Sequence, residues 1–390
     1  MSNALVAGVD MVKFAKPGQQ KPYREMASTA IKGAVVEAGI DPSAIEQAYG
    51  SYIYGDSTCA QHALYDAFMT GIPVINVNNN CSSGSSAIFM ARQAVQSGAV
   101  DCALAFGFEE MQPGALGSHW DDRESPFENF LDVLDRAEYP KGPLALRCFG
   151  AAGHHYMETY GAAPDLFAKV AVKTRNHAAL NPNALFTAEL TVEDVMAAPV
   201  LYMDYLTRLM CCPPTCGAGA AIICSEAFAK RHGIDHGVEI VAQAMATDTP
   251  ATWDNPINLV GADMTRRAAE AVYEQSGIGV NEVDVVELHD CFTTNEVITY
   301  EGLGLCAEGE ATAFVDAGDN TYGGKVVVNP SGGLMSKGHP IGATGLAQCY
   351  ELVNQLRGTA EQRQVPNAKI GLQHNLGLGG AAVVTVYRSS

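Results

Sequence analysis

The stretch VINVNNNCSSGSSAIFMARQAVQSGAVDCALAF, from Val74 to Phe106, decides the fold of this chain. Residues 74–77 form an apolar run of strand length, and Ala87, Ala91 and Val95 then recur at helical spacing. The short apolar run that ends at Phe106 predicts a second strand. The order strand, helix, strand is typical of a parallel or mixed sheet covered by helices, so the sequence predicts the α/β class.

A second copy of this pattern lies late in the chain. Strands are predicted at 45–54 and 283–288, and the strand at 74–77 has its counterpart at 326–328. Apolar side chains at helical spacing over 346–356 match the helix of the first copy. Repeats of this length indicate a duplicated domain rather than a solenoid of short units. Two unrelated α/β units are the alternative interpretation.

The region between the two copies, 114–210, differs from both in composition. It is rich in aromatic residues and histidine, Trp120 among them, and it has few long apolar runs. Long irregular insertions in compact folds often cover a functional site. We therefore expect an inserted loop or lid domain over 114–210, an N-terminal half formed by 1–113 and 211–235, and a C-terminal half over 236–390.

Composition and charge exclude several classes of protein. Of the 390 residues 47% are hydrophobic and 17% are charged, which is enough apolar material for a large core. The net charge of -19 opposes binding to nucleic acid or to an anionic membrane. No apolar run approaches the roughly 18 residues of a membrane span, and neither a leader at the start nor a Ser-Lys-Leu end is recognisable. We expect a cytoplasmic protein.

The cysteines fit a reducing compartment better than a disulfide framework, because their number, 11, is odd and their spacing is irregular. Cys211, Cys212 and Cys216 lie close together, but no second ligand pair at zinc-type spacing accompanies them. Buried, unreactive thiols are the interpretation that we prefer there over a metal site.

Cys81 lies in NNNCSSGSS, between a predicted strand and the first turn of a predicted helix. Unpaired N–H groups and the positive end of the helix dipole favour thiolate over thiol at such a position. Cys81 is therefore a candidate nucleophile, with a packing role as the alternative.

His289 and Cys291 lie in ELHDCF, at the end of the strand predicted at 283–288. Residues just past the carboxyl end of a strand face the ligand crevice of an α/β fold, so both side chains can point into it. A histidine that caps the next helix beside a buried thiol is the alternative.

His339 lies among glycines in a stretch that runs from NPSGG to KGHPIGATG, residues 329–345. The glycines imply close backbone approach to a ligand or a neighbouring segment, and the Walker spacing of a phosphate loop is absent. His339 occupies the place in the second copy that Cys81 occupies in the first. An imidazole presented beside a cysteine is what thiolate activation needs.

A glycine-rich turn, QHNLGLGG at 373–380, links the last two predicted strands. Its backbone N–H groups can form an oxyanion hole, although a plain tight hairpin is the alternative. No Gly-x-Ser-x-Gly elbow, zinc-binding histidine pair or dinucleotide fingerprint competes with these stretches.

In these stretches the chain resembles the thiolase superfamily, and within it the sterol-carrier-protein-type 3-ketoacyl-CoA thiolases. The matching motifs are VNNNCSSGSSA, CCPPTCGAGAAIICSEAF, VELHDCF, SKGHPIGATGLAQ and LQHNLGLGGAAVVTVYR. The resemblance in the order and spacing of these motifs extends over nearly the whole chain. The resemblance implies an α/β, thiolase-like fold with duplicated βαβαβαββ halves in five layers, α-β-α-β-α, and an inserted loop domain.

The resemblance also implies a role for each reactive residue. Cys81 is the acylated nucleophile, His339 its activating base, and Cys291 the second acid/base. His289 takes the place of an asparagine that, in better-known thiolases, polarises the thioester carbonyl together with a water. The N–H groups of Cys81 and Gly377 form the second oxyanion hole.

Three further expectations rest on the resemblance. Better-known thiolases take their second base from a cysteine of the final hairpin, where this chain has Asn375, so Cys291 must supply the thiol. Met157 falls in a segment that binds the pantetheine of CoA. The expected partners are acyl-CoA and CoA, as co-substrates without a tightly bound cofactor or metal, and a second copy of the chain in a homodimer or homotetramer.

The implied activity is cleavage of a 3-ketoacyl-CoA by CoA through an acyl-cysteine, in fatty-acid or sterol side-chain β-oxidation, including 2-methyl-branched substrates. One alternative is a decarboxylating ketosynthase, which uses one cysteine and two histidines and needs no second thiol such as Cys291. The other is an inactive acyl-CoA-binding relative, which would lack a reactive residue, and all of them are present.

Overall fold

The described part of the chain, residues 3–112 and 122–389 of a computed structural model, contains twelve strands and thirteen α-helices. The strands are β1 Ala4–Met11, β2 Gln47–Ser51, β3 Val74–Val77, β4 Cys102–Glu109, β5 Val200–Tyr202, β6 Leu206–Thr207, β7 Gly217–Ser225, β8 Val238–Ala246, β9 Val285–Glu287, β10 Val327–Val328, β11 Ile370–Gly377 and β12 Ala381–Arg388. The helices are α1 Tyr23–Ala38, α2 Cys59–Tyr65, α3 Ser83–Gln96, α4 Glu128–Arg136, α5 Leu144–Tyr160, α6 Asp165–Ala178, α7 Val192–Ala197, α8 Glu226–His232, α9 Pro256–Leu259, α10 Ala262–Ser276, α11 Thr293–Gly302, α12 Ala311–Asp316 and α13 Thr344–Arg357.

Ten strands form one continuous mixed sheet, in the order β10-β9-β11-β12-β8-β1-β7-β4-β2-β3. In the N-terminal half β2 pairs in parallel with β3 and β4, and β7 pairs antiparallel with β4 and β1. In the C-terminal half β9 pairs in parallel with β10 and β11, and β12 pairs antiparallel with β11 and β8. The same pairing pattern in both halves confirms the predicted duplication.

The two halves join at β1 and β8, where Leu5 and Val6 pair with Glu239 and Val238. Helices α3 and α13 pack against each other and against strands of both halves. Helix α1 covers β1 and β7 on one outer side, and α10 covers β8 and β12 on the other. These contacts fit the layer order α-β-α-β-α that the resemblance implied, with α3 and α13 between the strands of the two halves.

Glycines allow the two central helices to approach closely. A Cβ on Gly84 would lie 2.7 Å from Leu346 Cδ2, and a Cβ on Gly345 would lie 2.2 Å from the backbone nitrogen of Ser85. Any larger side chain at these positions would push the helices apart. Because the helices touch near their N-terminal ends, the loops that precede them, 78–82 and 329–343, also come together.

The described part of the region between β4 and β7 contains four helices, whereas its composition predicted irregular structure. It contains α4 to α7 and the β5–β6 hairpin, and aromatic residues such as Tyr156 and Phe167 are buried in its packing. Phe149 of α5 stacks on Phe292, with ring centroids 4.7 Å apart, so this region packs against the stretch that carries His289. The expected domain boundary at 113–114 and Trp120 lie outside the described residues, and the domain division stays a prediction.

None of the helices in the described residues combines the length and the apolar character that crossing a membrane requires.

Candidate active site

Cys81, His289 and His339 meet where the two halves join. The Sγ of Cys81 and one nitrogen of each imidazole lie within 4.8 Å of one another. The two imidazole rings cross edge to face, with centroids 5.0 Å apart and an interplanar angle of 82°. The structure therefore brings together three residues that lie on three separate stretches of the sequence.

A tight turn after β3 presents Cys81. Asn80 adopts the left-handed conformation, with φ of 50°, and its side-chain amide donates to the carbonyl of Leu378 at 2.9 Å. The hydroxyl of Ser83, the first residue of α3, donates to the carbonyl of Asn80 at 2.6 Å. Asparagine tolerates the left-handed region better than most residues, and these two bonds hold the turn in place.

Two influences act on the Cys81 thiol in opposite directions: the helix start favours the thiolate, and burial favours the neutral thiol. Burial is the largest influence and raises the pKa of Cys81 to about 12, and the nearby carboxyl group of Glu109 adds to the rise. The N–H groups of Cys81 and Leu378 lower this pKa, but they do not offset the loss of water. The start of α3 favours the thiolate and burial opposes it, and burial is the larger of the two influences.

The ring of His339 lies near this thiol and is oriented by one hydrogen bond. The Thr344 hydroxyl donates to the carbonyl of Pro340 at 3.0 Å, so the Thr344 oxygen accepts from Nδ1–H of His339 at 2.6 Å. Nε2 of His339 is buried and has no hydrogen-bond partner among the described residues. Burial lowers the pKa of His339 to about 3. The imidazole is therefore neutral, with its free lone pair on Nε2.

His289 lies just beyond β9 and is held at both its ring and its backbone. Its Nδ1 is 2.9 Å from Nδ2 of Asn375, and its backbone N–H donates to Nδ1 of His374 at 3.4 Å. Asn295 donates its side-chain amide to the carbonyl of His289. Burial and the neighbouring His339 and His374 hold the pKa of His289 well below its usual range, so this ring is also neutral.

Cys291, which is buried, and Cys212, which is partly buried, lie near each other and near Cys81. Burial raises the pKa of Cys291 well above its usual range, and the next largest influences are Cys212 and then Cys81. The backbone N–H of Cys212 donates to the carbonyl of Cys291 at 2.9 Å, and Pro214 forms a β-bridge with His339. The segment 211–215 thus braces the loops of both Cys291 and His339. The sequence analysis assigned Cys212 only a packing role, because nothing local shows its place beside Cys81.

Cys211, Cys212 and Cys216 do not form a metal-binding group among the described residues. Cys216 instead accepts the backbone N–H of Met111 at 3.1 Å. The group of described side chains whose spacing suits a metal is Cys81, His289 and His339, the same cluster that is arranged for thiol chemistry.

Glu109 is a part of the site that the sequence analysis missed. It is fully buried at the end of β4 and accepts backbone N–H groups from Ile53 at 3.2 Å, Tyr54 at 2.9 Å and Gly342 at 3.0 Å. Burial raises the pKa of Glu109 to about 7. Gly342 belongs to the loop of His339, so Glu109 ties that loop to the N-terminal half. An acidic residue that ends an otherwise apolar strand was the available signal.

Gly377 and Met157 are the two remaining residues that the sequence analysis assigned to the site, and they lie in different parts of the structure. Gly377 ends β11, and a Cβ there would lie 2.1 Å from the carbonyl oxygen of Asn79, so the position requires glycine. The N–H directed at the sulfur of Cys81 is that of the next residue, Leu378. Met157 is half-buried in α5 against the apolar core that contains Cys291. The oxyanion role of Gly377 and the CoA contact of Met157 stay predictions.

Comparison with known proteins identifies the family. The N-terminal domain of thiolase matches residues 6–198, and the thiolase C-terminal domain-like family matches residues 246–389. The chain belongs to the thiolase family. Sterol carrier protein 2 of Rattus norvegicus is 53% identical over 395 residues, which span 100% of this chain and 72% of that protein. An acetyl-CoA acetyltransferase of Methanothermobacter thermautotrophicus is 33% identical over 99% of this thiolase and 100% of its own length.

The fold of this thiolase also occurs in a solved aldolase. The Ltp2-ChsH2(DUF35) aldolase has a TM-score of 0.84 and 22% sequence identity, and the match covers 99% of this chain and 98% of that one. At this identity the likeness shows the fold alone. The family places this thiolase among the acyltransferases.

Proposed function

We propose that this thiolase cleaves 3-ketoacyl-CoA with CoA through an acyl group carried on Cys81. The observation that carries the proposal is the meeting of the Cys81 thiol with the two neutral imidazoles of His289 and His339 within 4.8 Å. A thiol beside an unpaired basic nitrogen is the arrangement that nucleophilic catalysis by cysteine requires.

In the first half-reaction the Cys81 sulfur attacks the ketone carbon while its proton moves to Nε2 of His339. The bond between the α and β carbons then breaks, which leaves an acyl group on Cys81 and an enolate on the departing thioester. His289 stabilises the enolate oxygen, and Cys291 gives its proton to the α carbon. The products of this half-reaction are acyl-Cys81 and a shorter acyl-CoA.

In the second half-reaction the thiol of CoA attacks the acyl group on Cys81. Cys291, now a thiolate, takes the proton from the CoA thiol, and the N–H groups of Cys81 and Gly377 hold the tetrahedral oxyanion. Collapse releases the new acyl-CoA, and the proton on His339 returns to the Cys81 sulfur. The substrate loses two carbons as acetyl-CoA, or three as propionyl-CoA when it carries a 2-methyl branch.

The thiol of Cys291 favours this reaction over a decarboxylating condensation. A ketosynthase makes its carbanion by losing carbon dioxide, so it needs no acid for the α carbon. Here the thiol of Cys291 lies near Cys81 and can supply that proton. The lowered pKa values of His289 and His339 favour neutral imidazoles beside it.

Several finer assignments belong to the same proposal. CoA is a co-substrate, Met157 contacts its pantetheine, and the region 114–210 shapes the acyl tunnel. We expect the protein to act as a homodimer or homotetramer and to reside in the cytoplasm. The stack of Phe149 on Phe292 supports contact between the inserted region and the loop of Cys291.

The test is to incubate the purified protein with CoA and a panel of 3-ketoacyl-CoAs, and to follow the products by mass. The panel contains straight-chain, 2-methyl-branched and steroidal acyl groups. CoA-dependent formation of an acyl-CoA two or three carbons shorter is expected for at least one class, which names the substrate. Failure to cleave any member, or condensation that depends on a malonyl thioester, would contradict the proposal.

A further inference from the structure

A chain of buried hydrogen bonds begins at a backbone carbonyl and ends at His289. The side-chain nitrogen of Gln373 donates to the carbonyl of Gly345 and to Oγ of Ser85, both at 2.8 Å. The Ser85 hydroxyl donates to Oδ1 of Asn375 at 2.9 Å, and Nδ2 of Asn375 is 2.9 Å from Nδ1 of His289. None of the four side chains is more than 1% exposed, so water does not compete for these bonds.

The direction of each bond follows from the carbonyl at the start. A carbonyl can only accept, so Gln373 must turn its nitrogen toward Gly345. The hydroxyl of Tyr387 donates to the oxygen of the same amide at 2.6 Å and supports this orientation. Ser85 accepts a bond from Gln373, and its own hydrogen is then available for the oxygen of Asn375.

The orientation of Asn375 then determines where His289 carries its hydrogen. If the Asn375 amide were reversed, Oγ of Ser85 would face two donors and the Ser85 hydrogen would lose its acceptor. With the amide as it stands, Nδ2 of Asn375 donates to Nδ1 of His289. A neutral imidazole has one ring hydrogen, so in His289 that hydrogen is on Nε2.

We propose that Asn375, oriented by Ser85 and Gln373, is a positioning residue that fixes His289 as the Nε2–H tautomer. This tautomer makes His289 a hydrogen-bond donor and prevents it from acting as a base. The inference rests on the proposed function, in which His289 stabilises the enolate that forms when the carbon–carbon bond breaks. It explains why an amide suits the place where better-known thiolases have a cysteine.

The substitution Asn375→Asp separates this role from a merely structural one. The carboxylate still accepts from Ser85 and is almost the same size, but it can only accept from His289. At about pH 9, where the imidazole is neutral, its hydrogen moves to Nδ1 and Nε2 presents a lone pair to the enolate oxygen. Loss of one oxyanion donor lowers kcat by about a hundredfold or more, so this is the expected loss in cleavage.

A second reaction of the same enzyme serves as an internal reference. Exchange of an acyl group between an acyl-CoA and isotope-labelled CoA passes through acyl-Cys81 but forms no enolate. We expect Asn375→Asp to lose cleavage while exchange stays within about threefold, which is less than 1 kcal/mol. The substitution Asn281→Asp, an equal change of charge at an exposed turn, should alter neither rate. Equal loss of both reactions in Asn375→Asp would overturn the inference.

The tautomer itself can be observed without turnover. In protein labelled with ¹⁵N at histidine, two-bond ¹H–¹⁵N correlations distinguish protonated Nε2 from protonated Nδ1, and His289→Gln identifies the signal. We expect Nε2–H in the unmodified protein, Nδ1–H in Asn375→Asp and a mixture in Ser85→Ala, with no change in Ser28→Ala, which removes a buried hydroxyl from α1. Nδ1–H in the unmodified protein would overturn the inference, even if the panel of substrates is cleaved. Absence of cleavage with Nε2–H in place would instead contradict the proposed function.

Discussion

The two loops that precede α3 and α13 occupy equivalent places in the two halves but present different chemistry. The first, 78–82, is short and presents the partly buried thiol of Cys81. The second, 329–343, is long, rich in glycine and buried throughout, and it presents the imidazole of His339. Duplication of one fold has thus supplied two similar positions, one of which carries the proposed nucleophile and the other its proposed base.

Burial acts on these two groups in opposite directions. It raises the pKa of Cys81 to about 12 and lowers the pKa of His339 to about 3, because in both cases it opposes the charged form. Burial therefore favours a neutral thiol beside a neutral imidazole over an ion pair. In the proposed mechanism the proton leaves Cys81 as the sulfur attacks, so the thiolate forms only while substrate is bound.

The largest effect is expected from removing the nucleophile of the first loop. Cys81→Ala should lower cleavage by about ten-thousandfold or more, because no acyl intermediate can form. Steady-state cleavage of the best substrate from the panel measures this loss. The matched control is Cys306→Ala, which removes another half-buried thiol and should keep the original rate. Substantial cleavage by Cys81→Ala would mean that another group is acylated.

A smaller and more selective effect is expected from the second thiol of the site. Cys291→Ala should lower carbon–carbon cleavage by about a hundredfold to a thousandfold, the typical contribution of a general acid or base. Cys212→Ala removes the neighbouring, partly buried thiol and should lower cleavage by less than about tenfold, or 1.4 kcal/mol. Measuring cleavage by both variants under the same conditions decides which thiol protonates the α carbon. If Cys212→Ala has the larger effect, the assignment of Cys291 is wrong.

The smallest expected effect concerns the protonation of Cys81 and His339 in the unmodified protein. The pH dependence of Cys81 alkylation measures it. Only the thiolate reacts with iodoacetamide, so the raised pKa of Cys81 predicts a slow reaction near neutral pH. The rate should rise about tenfold per pH unit and show no plateau up to pH 9. Mass analysis of the Cys81 peptide over a pH series measures it, with glutathione as the reference thiol. A plateau between pH 5 and 8 would indicate a thiolate paired with charged His339.

The sequence predicted the fold well because the information is local and repeated. Strand and helix patterns around Cys81 and His339 recur in the same order, and the duplicated sheet confirms the prediction. The inserted region was harder, because its aromatic residues are buried by contacts between α5 and distant segments rather than by a local periodic pattern. Phe149 contacts Phe292, for example, more than a hundred positions away.

The individual site residues were predictable, but their protonation was not. Cys81 stands at a helix start, which favours a thiolate, and only the packed structure shows that burial outweighs this effect. The amide of Asn375 gains its role from Ser85, 290 positions earlier, and no spacing rule connects the two. Similarly, Thr344 sets the tautomer of His339 through a hydroxyl that the sequence presents as one more small residue near a helix start.

The central claim is that the loop of Cys81 carries the nucleophile and the loop of His339 carries its base. The most direct test is to find which residue becomes acylated. The protein is mixed with a 3-ketoacyl-CoA in the absence of free CoA, quenched in acid after a short time and digested for peptide mass analysis. We predict one acyl group on the Cys81 peptide, formed much more slowly in His339→Gln. An acyl group on the Cys291 or Cys212 peptide, or equal labelling in His339→Gln, would contradict the account.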